Sequence, residues 1–344
     1  MKQRYLIDYV NPNAGIGHSL GLINQALKIS IRNNLCLAFS SSQLYKKDTS
    51  NDSNYFKKIY RKLTGKKVYP THNLDDDLNK LFGLQLQLVD RAIIERKIKD
   101  KKLNLILIDP EELPIPSNNQ IDDVAYTALD NLISKAKQNN VAFQLAHRDY
   151  GDYEYESTKH WFINSYRNAR NFHPIQLLYD KKTLNVAVHI RRGDLLPGNQ
   201  FSDLSDRMLP DKWYLDIIDT VIKFSQKRVA IYIFSEGKEN RYLSEKGNFI
   251  NWTTDHLPNN TCDIFELIDH SFTSTFHHLL HADILIGSKS GMTHLAGMLG
   301  SQIKLVPRMW HSYRGAEKTL ELSDSLPVNQ DMISKFLSKH LPAQ

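Results

Sequence analysis

The run LNVAVHI, Leu184 to Ile190, limits the possible folds more than any other stretch. Its apolar residues fall on both pleats of a strand, so both faces must be covered. Parallel sheets require such covering, whereas antiparallel sheets usually leave one face wet. Similar short apolar runs recur at Arg4–Val10, Leu35–Phe39, Leu103–Pro110, Val141–His147, Arg228–Ser235, Asp283–Ser288 and Ile303–Pro307. Between them lie segments with helical spacing: Gly17–Asn34, Asp123–Gln138, Glu156–Phe172, Pro210–Ser225, Phe272–Ala282 and Ser290–Gly300. Strands alternating with helices predict an α/β chain with parallel sheets. The series breaks near Asp180–Thr183 and restarts. The pattern therefore predicts two doubly wound domains, residues 1–180 and 181–344, facing a cleft. A last amphipathic helix, Asp331–Leu341, is expected to pack back on the first domain.

A chain of 344 residues, 41% hydrophobic, can fill two cores of ordinary size. The 44 basic against 38 acidic residues give a net charge of +6. That mild excess suits an anionic ligand such as a nucleotide. The basic runs Lys57–Lys67 and Glu95–Lys102 lack aromatic interleaving and follow no nucleic-acid module, so they read as solvated helix faces and no nucleic-acid partner is expected. Two distant cysteines, Cys36 and Cys262, make neither a disulfide framework nor a zinc pattern. The N-terminal apolar run is too short for a signal peptide, and no stretch approaches 18 apolar residues. The expected place is a reducing cytoplasm, with room for peripheral association at the inner face of a membrane.

Chemistry concentrates where LNVAVHI ends, at Arg191-Arg192-Gly193-Asp194. Open parallel sheets bind ligands at the carboxyl ends of their strands. An arginine there can grip two phosphate oxygens at once with its planar fork. Adjacent strand residues point opposite ways, so one arginine faces ligand while the other braces the fold. Asp194 can hold a guanidinium in place or act as a base. An Arg–Asp pair that only locks a turn is the plainer alternative.

A second strand ends at Gly287, and Ser288-Lys289-Ser290-Gly291 leads into a helix. The unpaired amides at that helix start, with its dipole, attract anions. Ser290 reads either as a phosphate ligand or as a plain N-cap. A third loop, NPNAGIGHSL, holds Gly15, Gly17 and His18. Its glycine spacing is neither that of a dinucleotide fingerprint nor that of a P-loop, but it lets a ligand approach the backbone. His277, His278 and His281 could share one helix face; no metalloprotease-type spacing accompanies them, and the reading is cleft or interface lining rather than metal.

At HIRRGD the chain resembles the superfamily of fucosyltransferases that use GDP-fucose, which includes the α1,2-, α1,6- and protein O-fucosyltransferases and the rhizobial chitooligosaccharide enzymes. The form of the motif is most similar to the bacterial α1,2 branch. AGIGHSL resembles that superfamily's N-terminal glycine-rich signature, and DILIGSKSGMTHLAG its C-terminal serine loop. The resemblance implies a GT-B fold of two Rossmann-like domains, the C-terminal one holding the donor nucleotide and the N-terminal one the acceptor. It implies an inverting transfer with no metal and no further cofactor. Arg191 would then bind the β-phosphate, His189 would lie by the guanine and ribose, and Ser290 with Ser288, Lys289 and Gly291 would touch the diphosphate. Arg192, Gly193, Gly15 and Gly17 complete the donor-binding set. Family members place an acid near guanine on the helix before the serine loop; FTSTFHHLLH has none, which leaves Asp263, Glu266 or Asp269 as substitutes.

In such a transfer the leaving diphosphate gains charge as the bond to the sugar breaks, and fixed donors must take that charge. A base must deprotonate the acceptor hydroxyl. Asp194, His18, Asp8 and Glu236 are candidates, Asp194 and His18 ahead of the others. The acceptor is expected to be a glycan or polysaccharide. SGMTHLAGMLG also resembles the diphosphate loop of ADP-heptose transferases, which makes these the nearest rival. A nucleotide-sugar epimerase and a non-catalytic sugar-nucleotide or RNA binder are further alternatives.

Overall fold

The structure is a computed structural model that describes residues 4–7, 16–39, 74–108, 113, 122–136, 138–145, 151–197, 199, 202–238, 241–244, 246, 249–250 and 262–341. It forms two compact units that meet in sequence between Pro174 and Ile175. In the first unit the elements are β1 (Arg4–Ile7), α1 (Ile16–Asn33), β2 (Cys36–Phe39), α2 (Leu74–Phe82), α3 (Leu84–Gln87), β3 (Val89–Asp90), α4 (Arg91–Lys99), β4 (Asn104–Ile108), α5 (Asp123–Lys135), β5 (Val141–Leu145) and α6 (Lys159–Arg170). The five strands pair in parallel in the order β3-β2-β1-β5-β4. Asn34 ends α1 in the left-handed region at φ 50°, a role asparagine fills more readily than most residues.

Asp152 fastens the chain after β5 to this unit. It is only 4% exposed, and its carboxylate accepts from Lys28 Nζ at 2.7 Å and from the Tyr126 hydroxyl at 2.5 Å. Asn24 adds a bond from Nδ2 to the Asp152 carbonyl at 2.8 Å. One buried charge thus ties residues 151–154 to α1 and α5.

The second unit runs β6 (Leu184–Ile190), α7 (Asp211–Phe224), β7 (Val229–Ser235), a small antiparallel sheet of β8 (Gly237–Lys238), β9 (Arg241–Leu243) and β10 (Phe249–Ile250), then β11 (Cys262–Ile268), α8 (Phe272–His281), β12 (Ile284–Ile286), α9 (Gly291–Leu299), β13 (Ile303–Pro307), β14 (Thr319–Leu322) and α10 (Gln330–His340). Its main sheet is parallel throughout, in the order β11-β7-β6-β12-β13-β14. Numbered within this six-stranded sheet that is 3-2-1-4-5-6, the Rossmann order, whose direction reverses between β6 and β12.

The pleat of β6 divides the unit's interior. Leu184, Val186, Val188 and Ile190 join Trp213, Ile217 and Val221 of α7, with Ile333 and Leu337 of α10, in one core. Ala187 and His189 face the other way, and His189 meets Thr293 of α9. The last helix spends its apolar face on its own unit, packing against α7. Among the described residues no helix is long and apolar enough to cross a membrane.

Replacing Asp152 by alanine would strand the Lys28 ammonium and the Tyr126 hydroxyl. The expected cost is about 3 kcal/mol of stability, the usual penalty for breaking a buried pair, read by urea unfolding. A loss below about 1 kcal/mol would class the network with screened surface pairs.

Candidate active site

β6 and β12 are neighbours at the point where the strand order reverses, so the loops that follow them open on the same edge of the sheet. The tip of β6 is pinned from β7: the Ser235 hydroxyl donates to the Ile190 carbonyl at 2.8 Å. Beyond it the two arginines part. Arg192, in step with Val188 and Ile190, turns toward α7 and is 0% exposed. It donates to the carbonyls of Arg191 and Leu209 and to Asp211 Oδ1, at 2.9, 2.8 and 2.8 Å, and lies over the Tyr214 ring. Arg192 was expected in the donor-binding set. Buried and engaged at the start of α7, it braces the strand tip instead.

Arg191, in step with His189, goes to the other side and stays partly open. Its Nη2 donates to Asp194 Oδ2 at 2.8 Å, and Nη1 reaches the Lys289 carbonyl at 3.4 Å. A guanidinium from β6 thus touches the loop after β12. Gly193 makes the turn between them at φ +38°, a region costly for side-chain-bearing residues. A Cβ there would also run into the Glu236 carboxyl. Glu236 follows β7 and accepts from the Asp194 amide at 3.3 Å. Burial, then the neighbouring Asp194 charge, push its carboxyl up to about 7 against the pull of Arg191.

Behind Arg191 lies a neutral cluster. His189 Nδ1 is 2.5 Å from Thr293 Oγ1 and 2.9 Å from Ser288 Oγ. Burial first, and the Arg191 charge second, lower this imidazole to about 3, so it is uncharged at neutral pH. Ser290 stands at the N-cap of α9, yet its side chain makes no cap hydrogen bond. Of its two readings, the plain N-cap is the one this geometry does not support. The first amides of α9 follow directly on the loop whose Lys289 carbonyl Arg191 reaches; Ser290 there is buried, and Gly291 opens the helix. Lys289 turns elsewhere: its ammonium pairs with Asp324 at 2.6 Å and holds that carboxyl below its ordinary range.

The remaining candidates scatter. Gly17 and His18 lie in the first turn of α1, in the first unit, where His18 Nδ1 is 3.1 Å from the Tyr153 hydroxyl. Gly15, Asp8 and the basic run Lys57–Lys67 lie outside the described residues. Asp263 pairs with Arg228 at the amino end of β11, the edge away from the β6 and β12 tips, while Glu266 is in mid-strand. Asp269 follows the carboxyl end of β11 and accepts from the Gly237 amide at 3.0 Å. His278 does not line a cleft. Its ring accepts from the Leu178 amide and its carbonyl from the Tyr179 hydroxyl, which moors the chain entering β6; His277 and His281 meet edge to face, ring centres 4.7 Å apart. Among the described residues no three His, Cys, Asp or Glu side chains are grouped to hold a metal. Thr293 was missed by sequence reasoning. Its signal was its position three residues past Ser290, in the same helical turn.

No protein-family model matches the chain, and no curated protein sequence matches it. Among solved structures it is similar to the E. coli ADP-heptose LPS heptosyltransferase II, at 8% identity and TM-score 0.45 over 98% of both chains. It is also similar to the E. coli heptosyltransferase WaaC with ADP, at 10% identity and TM-score 0.41 over 98% of this chain and 100% of that one. A putative UDP-N-acetylglucosamine 2-epimerase from Listeria monocytogenes is similar at 9% identity and TM-score 0.36, covering 99% of this chain and 88% of that one.

The two arginines should separate in a stability assay. Arg192→Ala leaves Asp211 and two carbonyls unanswered in the interior and should cost about 3 kcal/mol. Arg191→Ala removes a pair that is about one-fifth exposed and whose carboxylate still reaches solvent, and should cost less, about 1 kcal/mol. Denaturant unfolding of both variants checks this, and equal losses would show that the two side chains share one role.

Proposed function

We propose that the chain is a sugar-nucleotide glycosyltransferase of the GT-B kind, whose second unit binds the donor diphosphate between Arg191 and the start of α9. One observation carries the reading. At the reversal point of a 3-2-1-4-5-6 sheet, a guanidinium from one strand tip reaches the helix-leading loop of the next. That arrangement offers a forked cation and aligned amides to one dianionic group.

The chemistry follows from the charge. As the bond from sugar to phosphate breaks, the diphosphate becomes the more basic partner. Each charge-assisted bond from Arg191 is then worth about 1.5–3 kcal/mol. The donors are already in place, so no reorganisation is needed at the moment of reaction. Neutral His189 keeps Ser288 and Thr293 oriented beneath the loop without adding a second cation. Asp194 steadies the Arg191 fork, a role that competes with its use as a base. His18 of the first unit, beside the Tyr153 hydroxyl, is the other candidate for deprotonating a glycan hydroxyl. Arg191 and the α9 amides supply the positive charge the leaving group needs, which supports a transfer without a divalent ion.

The donor we favour is GDP-fucose, on the resemblance at HIRRGD. The second reading, an ADP-linked heptose, is favoured by one observation: α8 carries no carboxylate to meet a guanine edge. Both rest on the same diphosphate grip.

A panel of GDP-, ADP- and UDP-sugars, assayed for release of nucleoside diphosphate with and without glycan acceptors, tests this directly. GDP-fucose turnover, unaffected by EDTA, is the expected result. Arg191→Ala should lower kcat by roughly 10²–10³, and Arg191→Lys should not restore it, because an ammonium lacks the fork. An intact rate in Arg191→Ala, or activity lost to EDTA and rescued by a divalent ion, would overturn the assignment.

A further inference from the structure

Glu236 is an acidic side chain at this site whose position the diphosphate reading does not use. It follows β7, the strand next to β6, and its carboxyl lies in the space that a Cβ on Gly193 would need. Oε2 accepts from the amide of Asp194, the residue whose side chain holds Arg191 at 2.8 Å. The groups that face Glu236 are Asp194 and Arg191 from the chain after β6 and Asp269 from the chain after β11. It therefore sits against two carboxylates and one guanidinium.

We propose that Glu236 is a positioning residue that sets the Gly193–Asp194 turn and, through it, the aim of Arg191, and that nucleotide-sugar binding at Arg191 is accompanied by proton uptake on Glu236. The inference rests on the diphosphate reading above and names how that site is tuned. With Glu236 protonated, the charges of Arg191 and Asp194 cancel and Asp269 is the one charge left among the facing groups, so Arg191 can turn its fork to an anion. With Glu236 ionised, two carboxylates compete for one guanidinium and the cluster repels the diphosphate. A bound dianion strengthens the hold of Glu236 on its proton, and by linkage the proton strengthens the hold on the dianion. Its raised affinity for a proton, caused by burial and by Asp194, puts this exchange near neutrality. The acceptor bond to the Asp194 amide needs only an oxygen, so it survives protonation.

The test uses the full chain with GDP-fucose and ADP-glucose as probes, because a diphosphate diester carries two charges across the whole range from about pH 5.5 to 8.5. Isothermal titration in two buffers of different ionisation enthalpy counts the protons. For the wild type we expect uptake approaching one proton per nucleotide sugar above about pH 7, with affinity falling up to about tenfold per pH unit. Glu236→Gln keeps the oxygen and removes the charge; it should bind with no uptake and a flat pH profile. Glu236→Ala loses the oxygen and the wall beneath Gly193, and should bind roughly tenfold more weakly at every pH. Melting curves confirm that each variant is folded. A merely structural Glu236 would shift affinity by one factor at all pH values and leave proton uptake intact in Glu236→Gln. That result, or a wild type that binds without uptake, overturns the proposal. A wild type that binds no nucleotide sugar overturns the donor reading itself, and the missing heat distinguishes that failure from this one.

Discussion

The parallel pairing of β6 with β12 is the constraint from which the site follows. Val186 lies opposite Ile284 and Val188 opposite Ile286. That register brings two loops from distant parts of the chain to one edge and decides which arginine each face receives. A slip of one residue would exchange the faces of every side chain on the strand. Arg191 would then be driven into the core beside α7, and Arg192 would face the serine loop. The slip is prevented by the apolar set on the α7 side. Val186, Val188 and Ile190 cannot be traded for Ala187 and His189 without leaving a void against Trp213 and Ile217. Core packing thus selects which arginine stays partly open.

Burial and charge are shared out around that cation with some economy. Arg192 can be fully desolvated because Asp211, two carbonyls and the Tyr214 ring answer it. A second buried cation nearby would be costly, and His189 is not one. Its imidazole is held neutral by its surroundings and by Arg191. Lys289, the other candidate cation in the loop, is balanced by Asp324. Arg191 is therefore the cation best placed to answer an incoming anion, and Asp194 keeps it ordered without burying it. The arrangement is preorganised in the sense that matters for a developing negative charge: the donors are fixed by packing, not recruited by the ligand.

Much of this was legible in the chain. Leu184–Ile190 and Ile303–Pro307 were bounded to the residue, because buried parallel strands read as uninterrupted apolar runs. β11 and β14 were not found. They are edge strands that carry Asp263, Glu266 and Glu321 on half-buried positions, so no apolar run announces them. The helix α2 hid in a strongly charged segment for the same reason, while α4 was met only in part, as the solvated helix face read at Glu95–Lys102. At the site, pleat parity correctly separated Arg191 from Arg192 in principle, but it could not say which went inward. That answer depends on α7, whose first residue, Asp211, is nineteen positions away in sequence and waits for the Arg192 fork at its Nη2. The pairing of Lys289 could not be read for a related reason: its partner, Asp324, comes from the chain beyond β14.

The glycines at the site show how a motif can encode space as well as conformation. Gly193 has a positive φ, which alone would explain a glycine. Asparagine tolerates that region and would still be excluded, because its Cβ would meet the Glu236 carboxyl. Gly287 has no such backbone need in this structure, yet its missing Cβ leaves room for the Thr293 methyl and for Val306 Cγ1, which would lie at 3.0 Å. Without that room α9 could not start close enough to β12 for Thr293 to reach His189. The two glycines therefore serve opposite walls of one site. One makes place for a carboxyl beneath Arg191, and the other lets a hydroxyl close behind His189. In HIRRGD and LIGSKSG alike, what is conveyed is a vacancy shaped for a neighbour that lies elsewhere in the chain.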